Sequence, residues 1–472
     1  MSLLEKNKMK IKKVDSLFLL IIPLLINFLY NLFINKSITE LFNFDLLNLI
    51  SSTLLFAFLF SVGSLMKKTF NFPLVSTGIL FYLSSFFIFD NIFLFITKSV
   101  SFKYTYIIVN LLLISYLIYS KSRLKNIFYT SLIVLTNYLF NLIYINHYKQ
   151  NLTIKGDVEV QWLPMAENIY NFNYFYSLSN PFLDGYGQFI SYTHALLLKI
   201  NLGLDSFMFV RSSINVLFFL SVLLLWELDL NFKVKSSLIL TFSILIMNSE
   251  WLNYLFVDSL MGEGITSYFF AVSLISVFLS IKNQNKFTYI VFLLFGTVYF
   301  TKQFVTFIVL GLILFFIIYT RTRKYAVFAL IPLVINEVNL LFPLNFSRRD
   351  AYASNFDFKD TILDLLTNTN LKPENAYEIF SNFLIDKPIT YLFLLLIGSS
   401  FLVYFSYKSL DLETITYLSI ISINIIFILT LYISAWRNMP ELESPIRYVL
   451  NLLHLTIIVT FMNLNKIYNK FS

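Results

Sequence analysis

Asp157 and Glu159 stand close together where an apolar run gives way to a polar, aromatic-rich segment, KGDVEVQWLPMAENIYNFNYFYSLSNPFLDGYGQFISYTHALLLKINLG. A carboxylate near a membrane face can orient a hydroxyl and take its proton. Two further acids, Asp258 and Glu263, lie at or just inside the start of a later apolar run, where ionisable groups are costly and point to function. Cations able to hold an anionic group are Lys302, in a tight turn between two apolar runs, Arg447, at the start of the last run, and the pair Arg348 and Arg349 in a long polar segment. Arginine grips phosphate through its planar fork, lysine as a point charge. His194 falls in the same segment as Asp157, and no spacing among His147, His194 and His454 suggests a metal site. Plainer readings stand beside these: a solvated loop carboxylate at Asp157, a helix cap at Asp258, a snorkelling lysine at Lys302, an interface anchor at Arg447, and satisfied structure at His194 and His454.

Positioning such groups falls to membrane helices. The 472-residue chain is 57% hydrophobic and 13% charged, against about 25% charged residues in a soluble domain. Its apolar runs reach the roughly 20 residues needed to cross a bilayer. Phe, with 54 copies, suits lipid-facing surfaces and Tyr, with 30, the interface belts. The expected fold class is all-α: a polytopic transmembrane helical protein of about 14 spans. They fall near 15–35, 46–66, 74–96, 104–120, 127–146, 206–228, 236–256, 260–280, 287–301, 303–320, 325–342, 389–406, 414–434 and 446–463.

Charge predicts the orientation. Lys67 and Lys68, Lys121 to Lys125, Lys233 and Lys235, Lys282 and Lys286, Arg321 to Lys324, and Lys466 and Lys470 fall on every second connection, so both termini are expected in the cytoplasm. The net charge of +8 thus reflects orientation rather than nucleic-acid binding. No cleavable signal peptide is evident. Cysteine is absent, which excludes disulfide and thiolate chemistry. Two long loops, 147–205 and 343–388, then lie outside. The first is expected to carry two short interfacial helices, from about Trp162 to Asn171 and from about Phe189 to Lys199, forming a shelf around Asp157. The composition leans towards an AT-rich bacterium, and so towards its cytoplasmic membrane.

The pattern G-D-x-x-x-x-W-L-P-x-A-x-x-I at Gly156 to Ile169 resembles the first outer loop of the GT-C superfamily of membrane glycosyltransferases. Tyr186-Gly187-Gln188 takes the place of the family's Tyr-Pro-like turn without its proline. Val257-Asp258-Ser259-Leu260, Thr301-Lys302-Gln303 and Glu443-Ser444-Pro445-Ile446-Arg447-Tyr448 resemble later family segments, in the same order. The resemblance covers 127–463, leaving 1–126 as a four-span region without an assigned role and 464–472 as a cytoplasmic tail. It implies transfer of a sugar from a polyprenyl-phosphate donor to a glycan, lipid or protein acceptor, with inversion. Asp157 would be the base and Glu159 its helper. Lys302 and Arg447 would hold the phosphate, with Asp258, Glu263, Arg348, Arg349 and His194 completing the substrate-binding set. No cofactor is expected, and no residue pattern calls for a divalent cation. Membrane lipid is an expected partner and nucleic acid is not. The competing classes are a polymerase or ligase of lipid-linked polysaccharide, which shares substrate and topology, and a flippase or transporter. Against the latter stand the absence of internal repeats and the scarcity of Gly and Pro, 11 and 10 in all.

Overall fold

The computed structural model describes residues 46–97, 102–119, 166–167, 169–170, 188–200, 206–248, 262–301, 303–319, 322–341, 367, 374, 377, 381, 387–433 and 450–471. Every regular element among them is a helix. In chain order these are α1 (Leu46–Phe70), α2 (Val75–Thr97), α3 (Phe102–Tyr119), α4 (Gln188–Ile200), α5 (Ser206–Glu227), α6 (Phe232–Asn248), α7 (Gly262–Lys282), α8 (Thr288–Thr297), α9 (Gln303–Ile318), α10 (Leu330–Leu341), α11 (Lys387–Tyr407), α12 (Leu412–Ile433) and α13 (Leu453–Phe471). A 3-10 turn, Val298–Phe300, extends α8, another, Leu450–Leu452, leads into α13, and a one-turn helix, Arg323–Ala326, with a 3-10 turn, Val327–Ala329, leads into α10.

Every apolar run expected to be a span overlaps a described helix at least in part, except those near 15–35 and 127–146, which lie outside the described residues. The described helices long and apolar enough to cross a membrane are five: Val75–Phe93, Gly264–Lys282, Pro388–Tyr407, Leu412–Thr430 and Leu450–Phe471. Others are shorter than their hydrophobicity suggested. Helix α8 has 10 residues and its 3-10 extension 3, a rise of about 20 Å against a hydrocarbon core of about 30 Å.

The basic connections among the described residues meet at one end of the bundle, and polar side chains tie them together. Asn285 donates to the Asn71 carbonyl at 2.5 Å, joining the α7–α8 turn to the α1–α2 turn. The backbone N–H of Asn231 donates to the Asn465 side chain at 2.9 Å, Tyr407 to the Lys466 carbonyl at 2.9 Å, and Lys466 pairs with Asp411 at 2.5 Å. The strongest tie is Glu227, at the C-terminus of α5. It accepts from the backbone N–H of Val75, from Ser76 N–H at 2.9 Å and from Ser76 Oγ at 2.7 Å, with Lys67 Nζ at 3.7 Å. A helix N-terminus leaves N–H groups without intrahelical partners and carries partial positive charge. A carboxylate from another helix satisfies both demands of α2.

Helices α2, α7 and α13 form the interior, and α11 and α12 the rim. Tyr391, Leu394, Phe401 and Phe405 of α11, and Ile423 and Ile426 of α12, are exposed, as a surface facing lipid requires. Helix α2 meets α1 through Gly78 and Gly63, so closely that a Cβ on Gly78 would lie 2.2 Å from the Gly63 carbonyl oxygen. Small residues let membrane helices approach to where packing is strongest. Gly78→Val is expected to destabilise the fold by about 1–3 kcal/mol, whereas Gly311→Val, with nothing within 4 Å, changes it by less than about 0.5 kcal/mol. Unfolding of both variants in detergent tests the contrast, and equal stabilities would refute the close seam.

Candidate functional site

At the other end of the bundle, α2 is the element against which the candidate segments pack. Phe87 lies at its centre, with ring centroids 5.7 Å from Phe189 and 5.3 Å from Tyr192 of α4, and 5.2 Å from Phe300. Three residues earlier, Ser84 Oγ lies 3.2 Å from Thr297 Oγ1. Thr297 already donates to the Leu294 carbonyl, so Ser84 is the donor. Three residues later, Asp90 receives Tyr192 OH on one carboxylate oxygen and Thr105 Oγ1, at 2.7 Å, on the other. Asp90, Thr105 and Tyr192 are all buried.

Helix α4 packs further on α7, with Phe189 and Phe269 centroids 5.1 Å apart. Helix α7 in turn holds the last helix through His454. Ser267 Oγ accepts from the His454 backbone N–H at 3.0 Å and lies 2.8 Å from Nδ1. Ser221 Oγ lies 2.8 Å from Nε2 and donates to the Leu217 carbonyl at 2.8 Å. With its proton given to Leu217, Ser221 must accept, so Nε2 carries the hydrogen and Nδ1 accepts from Ser267. His454 is therefore satisfied structure, in agreement with its plainer reading.

Helix α4 is the second of the two short helices expected in the first loop, and its bounds agree. Its setting differs. Phe189 to Leu197 are all buried, so α4 is enclosed by protein rather than lying as an open shelf. Of the first short helix, Ala166, Glu167, Ile169 and Tyr170 are described and helical. His194 is buried on α4, and burial pushes its imidazole down to about 3. Glu263 belongs to the first turn of α7. Asp157, Glu159, Asp258, Lys302, Arg348, Arg349 and Arg447 lie outside the described residues. The structure thus brings together the chain neighbours of several candidates: α4, the turn through Thr301, the first turns of α7 and the entry to α13. Among the described residues no group of acids and histidines could hold a metal ion.

Three buried polar side chains in these segments, Ser191, Thr266 and Asn451, leave hydrogen-bonding atoms without a partner among the described residues. Such atoms cost free energy unless something polar meets them. All are neutral, suiting hydroxyl groups rather than a bare anion. Asp90 was not among the sequence candidates. Its one signal was an acid inside an otherwise apolar run, SSFFIFDNIFLF, which marks function by default in a membrane helix.

No protein-family model, curated protein or solved structure matches the chain.

The neutral ring of His194 gives a pH dependence. Its folded value, about 3, lies below the unfolded value of about 6.5. The unfolded chain therefore binds the extra proton first, and stability is lost as pH falls below about 6.5. Between about pH 7.5 and about pH 5 the contribution is roughly 2 kcal/mol. His194→Gln is expected to remove that share of the decline. An undiminished decline in thermal or denaturant unfolding at the two pH values would mean that another group titrates.

Proposed function

We propose that the chain is a GT-C-like membrane glycosyltransferase of about 14 spans, with both termini in the cytoplasm and its site on the outer face. It takes a sugar from a polyprenyl-phosphate donor and passes it to a hydroxyl of a glycan, lipid or protein. One observation carries the reading: α4, the turn through Thr301, the first turns of α7 and the entry to α13 pack at the same end of the bundle, opposite the basic connections. These are the chain neighbours of Glu263, Lys302 and Arg447. The buried neutral groups Ser191, Thr266 and Asn451 support it, because hydroxyl-rich ligands need donors and acceptors without net charge.

In this reaction Asp157 takes the proton of the acceptor hydroxyl, with Glu159 helping to orient it. The acceptor oxygen attacks the anomeric carbon from the face opposite the phosphate. The bond from that carbon to the phosphate oxygen breaks, its electrons leave with the lipid phosphate, and the configuration inverts. Negative charge grows on the departing phosphate, and cations fixed there in advance favour the transition state over the ground state. Lys302 and Arg447 supply that charge, with Arg348 and Arg349 on the approach. Asp258, Glu263 and His194 line the substrate, and the proton held by Asp157 returns to water.

Purified protein in lipid nanodiscs, given a radiolabelled polyprenyl-phosphate sugar and a set of lipid-linked and peptide acceptors, is expected to transfer label. Asp157→Asn should reduce the rate by about 10²–10⁴-fold with binding of the donor retained. Full turnover by that variant would remove the proposed base, and no transfer by the unaltered chain to any acceptor would count against the reaction.

A further inference from the structure

Asp90 is a fully buried carboxylate whose partners, Tyr192 and Thr105, are both hydroxyl groups. The two come from different elements: Thr105 from α3 and Tyr192 from α4, far along the chain. A hydroxyl can donate to a carboxylate oxygen, and two donors aimed at its two oxygens suit the ionised form. The arrangement therefore fixes α4 in direction as well as in place, which apolar packing alone does weakly. Around it the apolar contacts share one ring. Phe87, one turn before Asp90, touches Phe189 and Tyr192 on α4 and Phe300 beside Thr301.

We propose that Asp90 is a positioning residue, the latch by which α2 and α3 seat helix α4 and align it with the turn through Thr301. The helices before residue 126 then form the platform of the site. In its consequence for sugar transfer this rests on the proposed function; as a statement about α4 it does not. Losing the carboxylate frees one end of α4 while the remaining helix seams persist, because those use separate contacts: Glu227 with Ser76, Thr77 with Ser276, and Ser84 with Thr297.

The absence of cysteine among the 472 residues makes the latch measurable in the chain as it stands. A reporter Thr193→Cys sits on α4, where the threonine is buried and its hydroxyl, among the described residues, bonds within the helix to the Phe189 carbonyl. A control Ser280→Cys sits near the far end of α7, where the serine is buried and its hydroxyl has no partner among the described residues. Maleimide labelling of both is followed in nanodiscs. Asp90→Leu is expected to speed labelling at the Thr193 position by at least about 10-fold, as local opening becomes easier, with the Ser280 position unchanged. Asp90→Asn, which keeps the shape and one acceptor, should restore part of the protection. Tyr192→Phe, a change mild enough to preserve the fold, should raise the rate in the same direction. Unchanged labelling at the Thr193 position in both Asp90→Leu and Tyr192→Phe overturns the latch. So does an equal rise at both reporter positions, which would make Asp90 part of general stability. None of these readings needs activity, so a chain that transfers no sugar yet shows the local contrast retains the latch and loses only the transferase assignment.

Discussion

Helix α2 is held by a carboxylate near each end, and the bundle is arranged around the two. Glu227 meets the N-terminus of α2, where free N–H groups and the helix dipole both favour negative charge. Asp90 meets side chains, Thr105 in the first turn of α3 and Tyr192 on α4. It is stabilised by two hydroxyl donors in an interior where an unmatched carboxylate would be costly. The first interaction joins α5 to the start of α2; the second joins α3 and α4 to its far part. With both in place the depth and rotation of α2 are settled, and α1, α7 and α8 pack against faces whose orientation is no longer free. Small and hydroxylated residues line those faces. Gly78 admits the α1 backbone, and Thr77 and Ser84 each donate to a hydroxyl on α7 or α8.

The same rule accounts for the last helix. Asn451, His454, Thr456, Thr460 and Asn463 are all buried along α13 and the turn that leads into it, an unusual polar content for a segment deep in a hydrophobic protein. Threonines satisfy themselves on the preceding turn, as Thr456 and Thr460 do. A histidine cannot, and His454 reaches one serine on α5 and one on α7. Two serines with the donor and acceptor capacity it needs hold one tautomer, which fixes α13 against the interior more specifically than apolar contacts would. Helices α11 and α12, by contrast, keep their apolar surfaces outward, and their ties to the bundle are concentrated at the basic end, through Tyr407, Asp411 and Lys466.

The helical segments were legible because hydrophobic length and the charges that interrupt it are local properties. Helix α4 was legible too, as the short segment from about Phe189 to Lys199. Its enclosure was not, because burial depends on what packs against the helix from elsewhere in the chain. Glu227 reads as an ordinary acid at the end of a span, and nothing local connects it to Ser76, 151 positions away. Asp90 was visible as an acid in an apolar run, but its partner Tyr192 is 102 positions away. The sequence candidates lie in loops and at helix ends after residue 146, and nothing local in those segments points to the helices before residue 126.

Those N-terminal helices contact the rest of the bundle at several levels. Phe56 of α1 packs on Phe219 of α5 at 5.5 Å, Ser76 meets Glu227, Thr77 meets Ser276, and Asp90 meets Tyr192. Magnitudes indicate which of these orders α4. An aromatic pair adds about 0.5–1.5 kcal/mol beyond its burial, and it tolerates sliding because stacked, tilted and edge-on geometries are similar in energy. A hydrogen bond to a charged group contributes about 1.5–3 kcal/mol and is lost over a displacement of an ångström or so. Phe87 therefore supplies adhesion between α2 and α4, while Asp90 supplies register. A helix enclosed by protein and carrying His194 cannot take its orientation from the lipid surface, so it must take it from such a contact. The register of α4 is set from α2 and α3, which are structurally part of the end of the bundle where α4 and the turn through Thr301 meet.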